Sequence, residues 1–187
     1  MTASEAAPRT SFPEAGGREK GYDKEAVDEL LARARESFER GDSSITSVDI
    51  RRAAFPLVRH GYAIASVDAA LGRIEDAFAA RERSSAVAQT GVQAWVGHTR
   101  DSAQEVLDRL SRPRKQRFDR VSALRYGYRI DEVDLVSDKV SRYLETGDSL
   151  TVEQVRSVAF RMQRGGYREA QVDAVLDAVV EVLLAVK

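Results

Sequence analysis

Four stretches of the chain space their apolar side chains in steps of four, three and four residues. The first runs Val27, Leu31, Ala34, Phe38 and the second Val67, Leu71, Ile74, Phe78. The third runs Val133, Ser137, Val140, Leu144, with one polar member, and the fourth Val172, Leu176, Val179, Leu183. Such steps place one stripe along an α-helix that packs on another helix. Each stripe is shorter than the roughly three or four heptads that sustain a coiled coil, so the pattern predicts short paired helices rather than a rod.

Two further helices are predicted ahead of the second and fourth stretches. Thr46-Ser-Val-Asp49 and Thr151-Val-Glu-Gln154 read as N-terminal capping boxes, in which a threonine hydroxyl and the third-following side chain each satisfy one free backbone amide. They predict helices over 47–58 and 152–162. Gly61 and Gly165-Gly166 are expected to end them, since glycine takes positive φ freely, and Pro56 to kink or shorten the first. Between the halves, Ser84–Leu110 reads as one connecting helix with Gly91 and Gly97 as candidate breaks, Trp95 as a packing anchor between the halves, and Pro113 as its stop.

The stripes follow a repeated motif, Gly-Tyr-x4-Val-Asp. Its copies are Gly21-Tyr22 with Val27-Asp28, Gly61-Tyr62 with Val67-Asp68, Gly127-Tyr128 with Val133-Asp134, and Gly166-Tyr167 with Val172-Asp173. Phe12 and Phe118 precede their tyrosines by ten residues, Phe55 and Phe160 by seven. Odd and even copies therefore differ from each other and match across the halves, as in a duplicated two-motif unit. The expected organisation is a mostly disordered tail over 1–20, a first motif pair over 21–83, a connecting helix and basic linker over 84–117, and a second pair over 118–187. In fold class the chain is expected to be all-α. Each tyrosine is expected to close the corner between its own helices. Each aspartate is expected to sit at a helix start, where the dipole stabilises a carboxylate by about 0.3–1 kcal/mol.

Composition narrows the chemistry. Charged residues make up 32% of the chain, which suits solvated amphipathic helices, and 29 basic against 30 acidic residues leave a net charge of −1. That balance does not suit a dedicated nucleic-acid binder, whose domain is typically strongly basic. The absence of cysteine excludes disulfides, thiolate metal sites and cysteine nucleophiles, and fits a reducing compartment. The start MTASEAAPRT has no apolar run and is not read as a signal peptide, and the longest apolar stretch, 178–186, is too short to span a bilayer. A cytoplasmic location is expected. No nucleophile–base pair, phosphate-binding loop or dinucleotide fingerprint is present. His60 and His98 lack carboxylates at metal-ligand spacing. No catalytic, cofactor or metal site is therefore expected, and an enzyme is not. One segment is lopsided: Arg109, Arg112, Arg114, Lys115, Arg117, Arg120, Arg125 and Arg129 face a single acid, Asp119. The default reading is a solvated face that salt-bridges the acidic helices; the sharper one makes Arg112, Arg114, Lys115, Arg117 and Arg120 candidate contacts for an anionic surface, lipid or nucleic acid.

Leu150-Thr-Val-Glu-Gln-Val-Arg-Ser-Val-Ala-Phe160, Gly166-Tyr167 and Val172-Asp173-Ala-Val-Leu176 resemble the N-terminal domain of the DivIVA family of bacterial division and polar-growth scaffolds. Phe12 to Gly21-Tyr22, followed by Val27-Asp28 and Leu30-Leu31, resembles the longer-loop version of that domain. The resemblance covers most of the chain in four degenerate copies. It implies a short helix, a crossed loop and a longer helix paired in parallel. It also implies a cytoplasmic, non-enzymatic scaffold that recognises negatively curved membrane at poles and septa and recruits division or cell-wall synthesis proteins. Family members carry a hydrophobic residue and an arginine just before Gly-Tyr to enter lipid. The even motifs carry Arg59-His60 and Arg164-Gly165 there. With two motifs per half, the expected adaptor pairs its own seams within one chain.

Overall fold

The first and third Gly-Tyr pairs lie in short strands and the second and fourth in isolated bridges, not at helix corners. The computed structural model describes residues 12–186, and seven α-helices carry its cores, giving an all-α class with two small antiparallel ribbons. The chain divides between Arg83 and Ser84 into two compact units.

In the first unit, β1 (Lys20–Tyr22) leads into α1 (Lys24–Arg40), then α2 (Ser47–Arg51), β2 (Leu57–Arg59) and α3 (Ile64–Thr90). β1 pairs antiparallel with β2, with Gly21 opposite Val58. Beyond β2 the chain crosses back, and Tyr22 and Tyr62 exchange both amide–carbonyl bonds at 2.9 and 2.8 Å. The glycines make this crossing feasible. A Cβ on Gly21 or on Gly61 would lie under 3.0 Å from backbone atoms of the other motif, where no rotamer change can relieve it. Neither glycine has positive φ. Their role is close approach of two backbones, not the helix termination expected of Gly61 and Gly166.

The regularly spaced Phe, Tyr and Asp of each motif serve the partner motif. The Phe12 ring packs edge-on against Tyr62 and the Phe55 ring against Tyr22, both at 5.2 Å. The Tyr62 hydroxyl donates to Asp28, and Tyr22 hydrogen-bonds Asp68. Each tyrosine thus sits between the other motif's phenylalanine and aspartate and closes no corner of its own. Asp28 and Asp68 are the fifth residues of their helices, past the turn where the dipole acts, so the phenol partners account for them better. Tyr62 meets α1 near its start and Phe78 meets Phe38 near its end, at 5.3 Å, so α1 and α3 run parallel. Val27, Ala34, Ile45, Ile50, Val67, Leu71 and Phe78 form the core between them. Arg51 reaches the buried Glu75 carboxylate at 2.7 Å and ties α2 to α3. Arg81 donates to the Ser37 and Asp42 carbonyls while stacking over Phe78, which caps the end of α1.

Residues 12–20 of the tail expected over 1–20 are tied to the crossing: the Ala15 amide bonds the Gly61 carbonyl at 2.8 Å and Glu14 bridges to Tyr62. The part of that expectation over 1–11 lies outside the described residues. The even-motif helices are also shorter than the predicted 47–58 and 152–162. Both capping boxes form, yet α2 stops at Arg51 and α6 (Val152–Arg156) at the matching residue. Pro56 is not the cause, because Arg161 holds its place in the second unit. The chain extends because the next residues enter a ribbon, and the Pro56 and Arg161 carbonyls accept bonds from Asp23 and Arg129.

The second unit repeats the scheme. It contains α4 (Val92–Leu110), β3 (Tyr126–Tyr128), α5 (Ile130–Thr146), α6, β4 (Met162–Arg164) and α7 (Glu169–Val186). β3 pairs with β4, and Tyr128 and Tyr167 exchange amide–carbonyl bonds at 2.9 Å. Phe118 packs on Tyr167 and Phe160 on Tyr128. The buried Tyr167 hydroxyl donates to Asp134 at 3.1 Å, and Tyr128 hydrogen-bonds Asp173. The predicted connecting helix is broken at Gly91, whose φ of 85° starts α4, while Gly97 stays helical. α4 then packs on α5 and α7. Its Leu110 lines a small apolar cavity with Val136, Ser137, Val140 and Phe118. Ser137 stands where the first unit has Leu31, and the smaller side chain leaves space that Leu110 shares.

Candidate functional site

The two units end in crossed loops that share three backbone bonds and carry opposite chemistry. In the second unit Val121 N donates to Gly166 O at 2.9 Å, Arg125 N to Ser122 O at 2.9 Å, and Arg168 N to Asp119 O at 2.8 Å. In the first, Ala15 N donates to Gly61 O, Glu19 N to Gly16 O, and Ala63 N to Pro13 O. The bonds match one for one. The residues they position do not: Glu14, Glu19 and Ala63 in the first unit stand where the second has Arg120, Arg125 and Arg168.

The second unit's loop end is both apolar and cationic. Leu124 is 84% exposed, and Tyr126 and Met162 are also among the exposed large apolar residues. Arg164 lies over the Tyr126 ring at 5.7 Å. Arg120, Arg125 and Arg168 line an open cleft of about 520 Å³ with Val121 and Ser122. None of these three arginines forms an ion pair among the described residues. The nearby Asp119 carboxylate is engaged by the Gln171 amide at 2.8 Å. At the first unit's end, Gly16, Gly17 and Arg18 occupy the places of Ser122, Ala123 and Leu124, and Lys24 pairs with Glu14.

The basic segment does not form one surface. Arg117 is only 6% exposed: its guanidinium donates to the Arg112 and Asp134 carbonyls and to the Asp138 carboxylate. Arg114 also pairs with Asp138. Burial pushes the Asp138 carboxyl up, but hydrogen bonds from Arg117 and Arg114 outweigh it and leave the pKa below its ordinary value. The Lys115 amide donates to Asp134 from a backbone with φ of 67°. Arg117 is therefore a buried brace for α5, corrected from a surface contact. Arg114 is neutralised, Arg112 and Lys115 are exposed, and Arg120 belongs to the cleft. No family model, curated protein or solved structure matches this chain.

The sixteen motif residues gather at the two crossings: Gly21, Tyr22, Gly61 and Tyr62 at one, Gly127, Tyr128, Gly166 and Tyr167 at the other. Val27, Val67, Val133 and Val172 are buried beneath them. Burial, with the Asp134 carboxylate adding, pushes the Tyr167 phenol up to about 12. Burial also raises the Asp173 carboxyl, helped by Asp177 and Glu169. These residues are scaffold. The sequence reading counted Arg125 in the basic segment and Arg164 in an even loop, and passed over Leu124, Tyr126 and Arg168. Leu124-Arg125 is a hydrophobic–arginine pair shortly before Gly127, in an odd loop rather than an even one. Among the described residues no cluster of three His, Asp or Glu side chains is arranged to hold a metal, and no helix is long and apolar enough to cross a membrane.

Proposed function

We propose that the chain is a non-catalytic adaptor of the DivIVA kind. It rests the crossed-loop end of its second unit on an anionic membrane surface and presents its helices to partner proteins of bacterial division or polar growth. The observation that carries this reading is the exposed Leu124, Tyr126 and Met162 set among Arg120, Arg125, Arg164 and Arg168. A basic residue near an anionic bilayer contributes about 1 kcal/mol, and a buried leucine adds about 1.5–3 kcal/mol. Together they suffice for reversible peripheral binding. The intramolecular pairing of motif one with two, and three with four, supports the adaptor half, because each unit supplies both halves of a crossed pair from one chain.

Co-sedimentation with phosphatidylcholine vesicles carrying phosphatidylglycerol tests the contact. The wild-type chain is expected to pellet with these vesicles, and to do so less as salt rises. Leu124→Ser and Arg125→Glu are each expected to weaken binding several-fold. A wild-type protein that stays in the supernatant at low salt sinks the membrane contact, and a gel shift with duplex DNA in its place would favour nucleic acid. In cells, a fluorescent fusion spread evenly through the cytosol would count against the scaffold role.

A further inference from the structure

The cleft beside Leu124 is more than a basic patch. Its three arginines come from both arms of the crossing: Arg120 and Arg125 from the odd loop, Arg168 from the segment after Gly166-Tyr167. The backbone holding them is tied across the arms, Val121 N to Gly166 O at 2.9 Å and Gly165 N to Arg125 O at 3.0 Å. The Ser122 hydroxyl hydrogen-bonds no described residue and lies on the same wall. The first unit makes the matching Ala15 N to Gly61 O bond with Glu14, Gly16, Glu19 and Ala63 at these places, so that cross-arm bond does not depend on the arginines or the serine.

We propose that this cleft binds a phosphomonoester dianion, as the exposed headgroup of a phosphatidic-acid-type lipid. The inference builds on the membrane contact above and names the headgroup it reads. Guanidinium forks match phosphate oxygens two at a time. A phosphomonoester carries close to two negative charges at neutral pH and three strong acceptor oxygens, whereas a phosphodiester carries one charge and has fewer free oxygens. Three arginines and a hydroxyl suit the former. Leu124 lies in the same loop as Ser122 and Arg125, so acyl chains would lie beside the headgroup, which favours a lipid over a free phosphate ester.

The test compares vesicles of phosphatidylcholine with phosphatidic acid or with phosphatidylglycerol, matched in surface potential, alongside titration of the full chain with glycerol 3-phosphate by NMR. The phosphatidic acid vesicles are expected to bind about tenfold tighter. Arg125→Gln/Arg168→Gln is expected to bring that ratio to near one while retaining part of the phosphatidylglycerol binding. Leu124→Ser is expected to weaken both lipids alike. Arg120→Glu/Arg125→Glu/Arg168→Ala, which installs the first unit's residues at these three exposed places, is expected to stay folded and lose the ratio. Equal binding of both lipids with no shift from glycerol 3-phosphate overturns the cleft inference and leaves the membrane contact standing. Glycerol 3-phosphate shifts confined to 120–125 and 168 without vesicle binding keep the phosphomonoester chemistry and overturn the lipid source together with the membrane contact. No binding of any probe overturns both.

Discussion

Tyr167 is the most constrained side chain of the second crossing. Its ring is fully buried against Phe118, and its hydroxyl donates to Asp134. Tyr167→Phe leaves a buried carboxylate short of a donor, so a loss of about 1–3 kcal/mol is expected in urea unfolding. Tyr22→Phe is expected to cost less, because Tyr22 is only half-buried. The same burial sets an alkaline limit. A phenol raised from 10.0 to about 12 stays protonated in the fold while the unfolded chain ionises. The unfolded state then binds fewer protons, so stability is full below pH 10, falls as pH rises, and this contribution is gone above about 12. Denaturant midpoints at rising pH, with phenolate absorbance followed in parallel, check it; Tyr167→Phe is expected to flatten the decline. At this scale the sequence showed that Tyr and Asp recur together, but not that each serves the other motif. Spacing reports neighbours on one helix, while Tyr62–Asp28 and Tyr167–Asp134 join residues more than thirty apart.

Among the elements, α4 distinguishes the two units. Its Val106 and Leu110 are buried, whereas Val92 and Val96 at its other end are exposed. Leu110→Ala is expected to cost about 2–5 kcal/mol, with hydrogen exchange rising in 104–118 before it rises in α5 or α7. An unchanged midpoint would mean that the α4 contact contributes little. The stripes that predicted α1, α3, α5 and α7 were legible because burial on one face imposes a 3.6-residue period. Both capping boxes were legible for an equally local reason. The lengths of α2 and α6 were not, because the ribbon that takes over at Leu57 and Met162 is set by strands far along the chain. Arg117 was misplaced for a related reason: an arginine in a basic run looks solvated until Asp134 and Asp138 close over it.

For the whole molecule, two crossings mean two separate cores. Gly127→Ala would drive a Cβ under 3.0 Å from the Tyr167 carbonyl, and no side-chain rotation removes that clash. It is expected to unfold the second unit while amide signals of 20–80 keep their wild-type positions; Gly21→Ala is expected to do the reverse. Collapse of both sets from either change would show the units to be one cooperative body. The loop end at 120–125 was hardest to read from sequence, because it stands out only against 14–19, which makes matching backbone bonds with other side chains.

Where two identical chains cross, rotational symmetry obliges both arms to carry the same loop, and a residue altered on one is altered on the other. Here the arms are covalently joined and of unequal length, so each can change alone. Arg120 and Arg125 on one arm meet Gly165 and Arg168 on the other, a composite that no symmetric pair of identical loops could display.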